Sequence, residues 1–173
     1  MLARKKVKHL YLGIESGLDD VLKFMKKDHD LAQAYQAIDR LHGAGLIYDA
    51  HIMTGVAGKG RGMENAEALA QFLNRTNPAH VVNFSMFLHK EVPLYQDIRQ
   101  GTFVPADELE TIREEYHLIE RIAPEKAGAN ILYDGFHDFI HVRVRGHLPG
   151  DKEKMLAKLN GIIQEYEGKE PVY

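Results

Sequence analysis

The sequence predicts an α/β fold with a parallel sheet. Three short segments, residues 7–14, 46–53 and 81–88, are rich in β-branched, aromatic and leucine residues and are bounded by turn residues. These features are typical of strands. Helical patterns lie between them, and strands that alternate with helices favour parallel βαβ units.

The helical patterns follow the strands in order. Residues 18–27 and 31–41 carry apolar side chains at helical spacing, and Gly43 and Gly45 end the second of these helices. Residues 65–73 form a third apolar stripe, which stops before Asn77 and Pro78. Each predicted helix therefore fits between two predicted strands.

The second half of the chain is less regular. Residues 89–105 contain Pro93, Gly101 and Pro105 and are interpreted as a loop. Residues 107–122 form a strongly charged amphipathic pattern with an acidic start, which suits a helix N-terminus. Residues 139–145 alternate between apolar and polar side chains, as a half-buried strand does, and residues 152–166 carry the stripe of a final helix.

Composition excludes several classes of function. The 173 residues fit one domain, and a net charge of -3 gives no electrostatic footprint for nucleic acid. No apolar run approaches the roughly 18 residues of a membrane span, and the basic N-terminus lacks the apolar stretch of a signal peptide. We therefore expect a cytoplasmic protein with neither a membrane nor a nucleic acid as partner.

Cysteine is absent, but histidine is frequent. Without cysteine, the chain has no thiolate ligand for zinc or for an iron–sulfur cluster, and no cysteine nucleophile. The ten histidines include the pair in His137-Asp-Phe-Ile-His141, which resembles a zinc-binding motif. On the strand predicted here the two rings would lie roughly 13 Å apart, too far to share a metal, so no metal site is predicted.

The turn Gly13-Ile-Glu-Ser-Gly17 follows the first strand. It differs from a G-x-S-x-G nucleophile elbow because Glu15, and not a serine, is central. No Ser-His-Asp order supports a hydrolase, and no catalytic residue is predicted. Ser16 is expected to cap the next helix, where Glu15 would favour the positive end of the helix dipole.

Two further features leave alternatives open. The glycine-rich turn GVAGKGRG fails the phosphate-loop pattern, because Met53 and Gly60 occupy positions that require glycine and a hydroxyl. It is either a weaker anion-binding nest or a flexible turn. His51 and Asp49 are polar residues within a predicted parallel strand, so His51 either contacts a ligand or makes a structural hydrogen bond.

Several motifs occur together in a specific order. Gly13-Ile-Glu-Ser-Gly17 ends the first strand, Lys27-Asp28-His29 follows about a dozen positions later, and Gly55-Val-Ala-Gly58 ends the second strand. Pro93-Leu94-Tyr95 and Gly101-Thr102-Phe103 follow the third strand. In these features the chain resembles the second half of a radical S-adenosylmethionine (radical SAM) enzyme, in the branch of oxygen-independent coproporphyrinogen oxidases and tRNA methylthiotransferases.

The resemblance implies a parallel half-barrel, a fragment of a partial TIM-type (β/α)6 barrel, with a small C-terminal α+β extension. Residues 1–128 would form the barrel half, and residues 129–173 would pack on it as one compact unit. The cofactors of the parent family are SAM and a [4Fe-4S] cluster.

The resemblance also implies a SAM site. Glu15 would bind the ribose or the amino acid part of SAM, and Lys27 would lie near its carboxylate. His51 would contact the ribose. The remaining predicted cofactor-binding residues are Ser16 in the first turn, Met53 and Gly55 beside the adenine, and Phe87 or Leu88 as its apolar contact.

This sequence departs from the family at the cluster. The family holds its cluster with a C-x-x-x-C-x-x-C loop, and no cysteine occurs in this chain. We therefore interpret the chain as a C-terminal fragment of a radical SAM enzyme that is inactive alone. Because its first strand would lack a neighbour, we expect a homo-oligomer formed through that strand edge. The alternatives are a non-catalytic interaction or regulatory module and a phosphate-binding α/β-barrel enzyme.

Overall fold

The computed structural model describes residues 6–173, so the first part of the basic N-terminal segment lies outside the described residues. One five-stranded sheet has the order β1-β2-β3-β4-β5. The first four strands run parallel and β5 is antiparallel to β4. The strands are β1 His9–Glu15, β2 Ile47–Thr54, β3 His80–Ser85, β4 Ile131–His137 and β5 Val142–Leu148.

Six helices connect or follow the strands within the described residues. They are α1 Asp19–Phe24, α2 Leu31–Gly43, α3 Gly62–Thr76, α4 Leu94–Gln100, α5 Glu108–Arg121 and α6 Lys152–Tyr166. Apolar side chains of α2, α3, α5 and α6 pack on one face of the sheet, against strand residues such as Tyr48, Ile52 and Tyr133. This buried layer is the core of the protein.

The other face of the sheet carries exposed or half-buried side chains. We call it the open face; from β1 to β5 its residues near the strand ends are Tyr11, Gly13, His51, Met53, Phe84, Phe136 and Arg143. Tyr11 is 54% exposed and Phe84 is 44% exposed. The alternation of side chains along each strand puts these residues opposite the core.

The predicted fold class is confirmed. The α/β architecture, the parallel strands and the final strand–helix unit all occur, and α6 has the predicted bounds. The same sheet continues across residue 128, where the two predicted units meet. The division of the chain at that residue stays a prediction.

Four local predictions were wrong. The predicted loop 89–105 contains α4, because Pro93 and Gly101 begin and end a helix there. The third strand ends at Ser85 rather than at residue 88, and the last strand begins at Val142 after a turn over residues 138–141. Strand β4 was not predicted, because Asp134 and Gly135 in its middle are typical of turns.

No helix in the part of the chain that the structure describes is long and apolar enough to cross a membrane.

Candidate functional site at the carboxyl ends of the strands

A β-bulge places the side chain of Glu15 over the open face. Gly13 is opposite His51, but Glu15 is opposite Ile52, so one extra residue is inserted into β1. Glu15 has a φ of 62°, in the left-handed region that side-chain-bearing residues rarely adopt. A Cβ on Gly13 would lie 2.6 Å from Oε1 of Glu15, so the carboxylate lies directly over Gly13.

Lys27 neutralises this carboxylate. Its Nζ donates to Oε1 of Glu15 at 2.8 Å, across 12 residues of sequence. The lysine side chain is 34% exposed and the glutamate side chain 19% exposed, so both remain accessible to a ligand. The structure therefore brings together two residues that the resemblance assigned to one site.

His51 and Met53 of β2 share the open face with Glu15. The ring of His51 lies 5.0 Å from that of Tyr11 and 6.0 Å from that of Phe84. Met53 is opposite Phe84 and also packs on the small apolar cluster of Val21, Val56 and Ala57. His51 contacts aromatic rings on both neighbouring strands.

These contacts belong to an aromatic row that crosses the open face. Phe84 stacks on Phe136 with 5.6 Å between ring centroids, and the Arg143 guanidinium lies 4.6 Å from the Phe136 centroid. With Tyr11 and His51, the row has a member on each of the five strands. Exposed apolar surface of this kind marks ligand grooves or protein interfaces.

Three other predicted site residues lie beyond the ends of the strands. Ser16 is fully buried: its hydroxyl donates to Oδ1 of Asn65 at 2.6 Å and accepts from the backbone N–H of Leu18. The N-cap of α1 is Leu18, without a side-chain cap, so the prediction that Ser16 caps this helix was wrong. Phe87 and Leu88 follow the end of β3, and the residue by which that strand reaches the open face is Phe84.

Gly55 requires glycine for two reasons. Its φ is 81°, and a Cβ there would lie 2.7 Å from Cγ2 of Thr111. Its backbone N–H donates to Oε2 of Glu114 at 2.8 Å. This donor is therefore already committed within the protein.

The rest of the glycine-rich turn has the same character. The Lys59 N–H donates to the carbonyl of Val104 at 2.8 Å, and the Gly60 N–H donates to Glu110. The guanidinium of Arg61 pairs with Asp20 and Glu64. Because these N–H donors and the arginine have internal partners, the geometry does not favour an anion-binding nest, and the turn is held by its own hydrogen bonds.

Two buried carboxylates of α5 lie under the strand ends. Oε1 of Glu114 accepts from Nδ2 of Asn65 at 2.7 Å. Burial raises the pKa of Glu114 to about 8, although the hydrogen bonds from Asn65 and Gly55 oppose the shift. Glu114 therefore links the turn after β2 to α3.

Glu115, the next residue, organises β3 and β4. Its Oε1 accepts from Asn83 and from the Tyr133 hydroxyl, both at 2.9 Å. His137 lies between Oε2 of Glu115 at 2.9 Å and Oε1 of Glu108 at 3.1 Å. Burial alone would lower the pKa of His137, but the two carboxylates outweigh it and raise the pKa to about 9, so the ring is an imidazolium that donates to both.

The two histidines of the motif lie at the two ends of a turn, and not on one continuous strand. His137 ends β4 and is buried, whereas His141 is exposed at the end of the 138–141 turn. Both ring nitrogens of His137 have carboxylate partners. The described residues contain no group of three His, Cys, Asp or Glu side chains arranged to hold a metal ion.

Two cavities lie beside the sheet. One of about 450 Å³, lined by Leu12, Gly13, Ile14 and residues of α2, lies along the outer edge of β1. A larger one of about 620 Å³ lies at the amino ends of the strands, beside Tyr48 and Asn77. Ligands of parallel α/β sheets bind at the carboxyl ends, so we place the site beside Glu15 rather than in the larger cavity.

The comparisons with known proteins show a fold relationship. The sequence matches no protein-family model and no curated protein significantly. The structure is similar to that of archaeal Elp3 from Methanocaldococcus infernus lacking N-terminal residues 1–46, with a TM-score of 0.67 and 17% identity. The match covers 96% of this chain and 38% of that chain. The fold is thus that of a partial α/β barrel, which this chain shares with part of the Elp3 structure.

Sequence reasoning missed the residues beneath the site. The helix α5 was predicted as a charged amphipathic helix, but Glu108 and Glu115 lie in register with its apolar stripe of Ile112, Leu118 and Ile119. That register was the available signal, since acidic residues on a buried helical face need partners. Phe84 and Phe136 of the open face belong to no sequence motif, so no signal in the sequence pointed to them.

Proposed function

We propose that this chain is the nucleoside-binding part of a radical SAM barrel and holds S-adenosylmethionine at the carboxyl ends of β1 and β2. The observation that carries the proposal is the bulge that turns Glu15 onto the open face, next to Lys27 and on the strand beside His51. Glu15 has a positive φ, which is a strained conformation for a residue other than glycine. Residues strained in this way cluster at ligand sites. The Elp3-like fold supports the same assignment.

The charges of this site suit the amino acid end of SAM. That end carries an ammonium and a carboxylate, and Glu15 and Lys27 offer one group of the opposite sign to each. The carboxylate of Glu15 also suits ribose hydroxyls, because it accepts two hydrogen bonds at once. His51, Met53 and Phe84 provide the half-apolar surface that an adenine ring requires.

A [4Fe-4S] cluster does not fit this chain. The protein has no cysteine, so any thiolate ligands would have to come from outside these 173 residues. We propose that the chain binds SAM without cleaving it. Its own residues then bind and orient the nucleoside.

Nuclear magnetic resonance tests where the ligand binds. SAM, adenosine and methionine are each titrated into 15N-labelled protein. We expect SAM to shift the amide signals of residues 13–17, 27 and 51–55, with adenosine and methionine each shifting part of that set. Shifts confined to residues 42–48 and 75–79 would place the ligand at the amino ends of the strands and contradict the proposal.

A second candidate function is a non-catalytic interaction module. The exposed aromatic row of the open face favours it, because Tyr11 and Phe84 are large side chains that leave about half of their surface in contact with water. Such a module would bind a protein through this face and would have no affinity for SAM. The same titration separates the two functions. The phosphate-binding alternative has less support, since the glycine-rich turn has its donors paired internally.

A further inference from the structure

Two buried side chains connect the turns that flank the proposed site. Asn65 of α3 accepts through Oδ1 from the Ser16 hydroxyl at 2.6 Å and from the Gly17 N–H at 3.2 Å. Its Nδ2 donates to Glu114 at 2.7 Å, and Glu114 accepts from the Gly55 N–H at 2.8 Å. The chain of hydrogen bonds therefore runs from the turn after β1 to the turn after β2.

Close backbone packing accompanies these bonds. A Cβ on Gly17 would lie 2.4 Å from the backbone nitrogen of Leu69, so the first turn touches the α3 backbone. A Cβ on Gly62, the first residue of α3, would lie 3.0 Å from Oε2 of Glu114. The first residue of α3 therefore packs against the Glu114 carboxylate. Leu69, four residues after Asn65 in the same helix, packs against the turn that follows β1.

The chemistry of the connection is directional. Asn65 presents its oxygen to two donors and its amide nitrogen to an acceptor, so rotating the amide by 180° would break every one of these bonds. Glu114 fixes that orientation, because its two oxygens accept from two separate N–H donors. Asn65 and Glu114 are 0% and 1% exposed, so water does not compete for these bonds.

We propose that Asn65 and Glu114 are positioning residues that hold the turn after β1 and the turn after β2 in one fixed arrangement. Neither residue touches the open face. Asn65 acts through Gly17, which lies two residues after Glu15. Glu114 acts through Gly55, which lies two residues after Met53 in the turn that ends β2. These hydrogen bonds form in the free protein, whichever ligand binds. Only one consequence rests on the proposed function, namely that the affinity for SAM depends on Glu114.

The test is amide hydrogen exchange, without ligand, on Glu114→Gln and on Glu115→Gln as a matched control. Glu115 is the adjacent buried carboxylate, but its partners are in β3 and β4. In E114Q, the protection of both Gly55 and Gly17, relative to that of Leu73 in α3, should fall about ten- to a hundredfold, because an amide nitrogen replaces one of the two accepting oxygens and leaves a buried N–H donor without its acceptor. In E115Q, both ratios should stay within about twofold of the wild type.

Two results would overturn the proposal. Gly17 could keep its protection while Gly55 loses it, which would show that Asn65 does not transmit the effect. Alternatively, E115Q could lower both ratios as much as E114Q does. Either outcome leaves the proposed SAM site untouched, because that site is tested by ligand titration and this network by exchange in the free protein.

A measurement on the wild type covers the case in which E114Q does not fold. The Gly55 amide and the Asn65 side-chain amide are followed from pH 6 to 10, and both should move with one common midpoint near the Glu114 pKa of about 8. The titratable groups facing Glu114 are Glu110 of α5 and Tyr133 and His137 of β4. The His137 ring signals, recorded in the same spectra, separate its own midpoint. A Gly55 signal that titrates while the Asn65 amide stays still would refute the connection.

Discussion

Nζ of Lys27 lies 2.8 Å from Oε1 of Glu15, whose own backbone is held at a φ of 62°. The left-handed conformation costs an ordinary residue about 1–2 kcal/mol, whereas glycine adopts it freely. The pair with Lys27, being partly exposed, stabilises the protein by about 1 kcal/mol at most. The position of Glu15 therefore has a net cost in stability, as we expect of a residue that serves the proposed ligand site.

Replacing Glu15 should reverse the usual order of alanine and glycine. Both E15A and E15G remove the carboxylate, but only glycine relieves the backbone at this φ. We expect E15G to be more stable than E15A by about 1 kcal/mol in urea denaturation. An E15A variant as stable as E15G would show that the bulge relaxes when the side chain is removed.

Gly135 should be intolerant of a side chain. A Cβ there would lie 1.8 Å from Oε1 of Glu115, a carboxylate held by Asn83, Tyr133 and His137. We expect G135A to lower the free energy of unfolding by about 2–3 kcal/mol, as overpacking in a rigid core does.

Gly161 provides the matched control for that substitution. It lies in α6, and an added Cβ would meet nothing within 4 Å. G161A should stabilise the protein by about 0.5–1 kcal/mol through helix propensity. Equal effects of the two substitutions in urea denaturation would contradict the packing described around Glu115.

Stability should fall as the pH rises from about 5 to 9. Folding raises the pKa of His137 from 6.5 to about 9, so its contribution is complete below pH 6.5 and is lost as the pH approaches 9. Burial raises the pKa of Glu114 from 4.5 to about 8, so the contribution of its protonated form to stability is complete below pH 4.5 and is lost as the pH approaches 8. The His137 part amounts to about 3 kcal/mol.

Urea denaturation at a series of pH values measures this slope. His137→Gln should reduce the decline between pH 7 and 8 and remove it between pH 8 and 9, whereas Glu114→Gln should reduce the decline between pH 5 and 8. A slope that neither variant changes would mean that other groups cause the pH dependence.

The free edge of β1 should promote self-association. In the part of the chain that the structure describes, β1 has a strand neighbour on one side only. Strand edges of this kind pair with other chains, and Tyr11 adds exposed apolar surface beside the edge. We expect light scattering after size exclusion to give twice the monomer mass, with Y11K shifted toward the monomer. A clean wild-type monomer at micromolar concentration would contradict this prediction.

Local patterns predicted the elements whose sequences match their structural environment. The first two parallel strands and α6 follow from periodicity, and the glycine turns after β1 and β2 predicted where a ligand would bind. Strand β4 was missed because its Asp134 and Gly135 serve tertiary needs: Asp134 pairs with Arg143, and Gly135 makes room for Glu115. Such roles depend on partners distant in sequence.

The arrangement of the candidate site could be predicted only in part, for the same reason. Glu15, Lys27 and His51 could be singled out because they belong to a motif or interrupt a strand pattern. The pairing of Glu15 with Lys27 depends on a bulge, and a bulge is set by the register between two strands. Phe84 and Phe136 meet only because β3 and β4 are neighbours in the sheet.

Calorimetric titration with S-adenosylmethionine tests the central claim most directly. The wild type is compared with Glu15→Gln and with Glu153→Gln, which makes the same charge change on an exposed residue of α6. We predict that the wild type and E153Q bind with the same affinity and that E15Q binds about 10- to 100-fold more weakly. Equal affinity of E15Q and the wild type, or no binding by the wild type at millimolar ligand, would contradict the account.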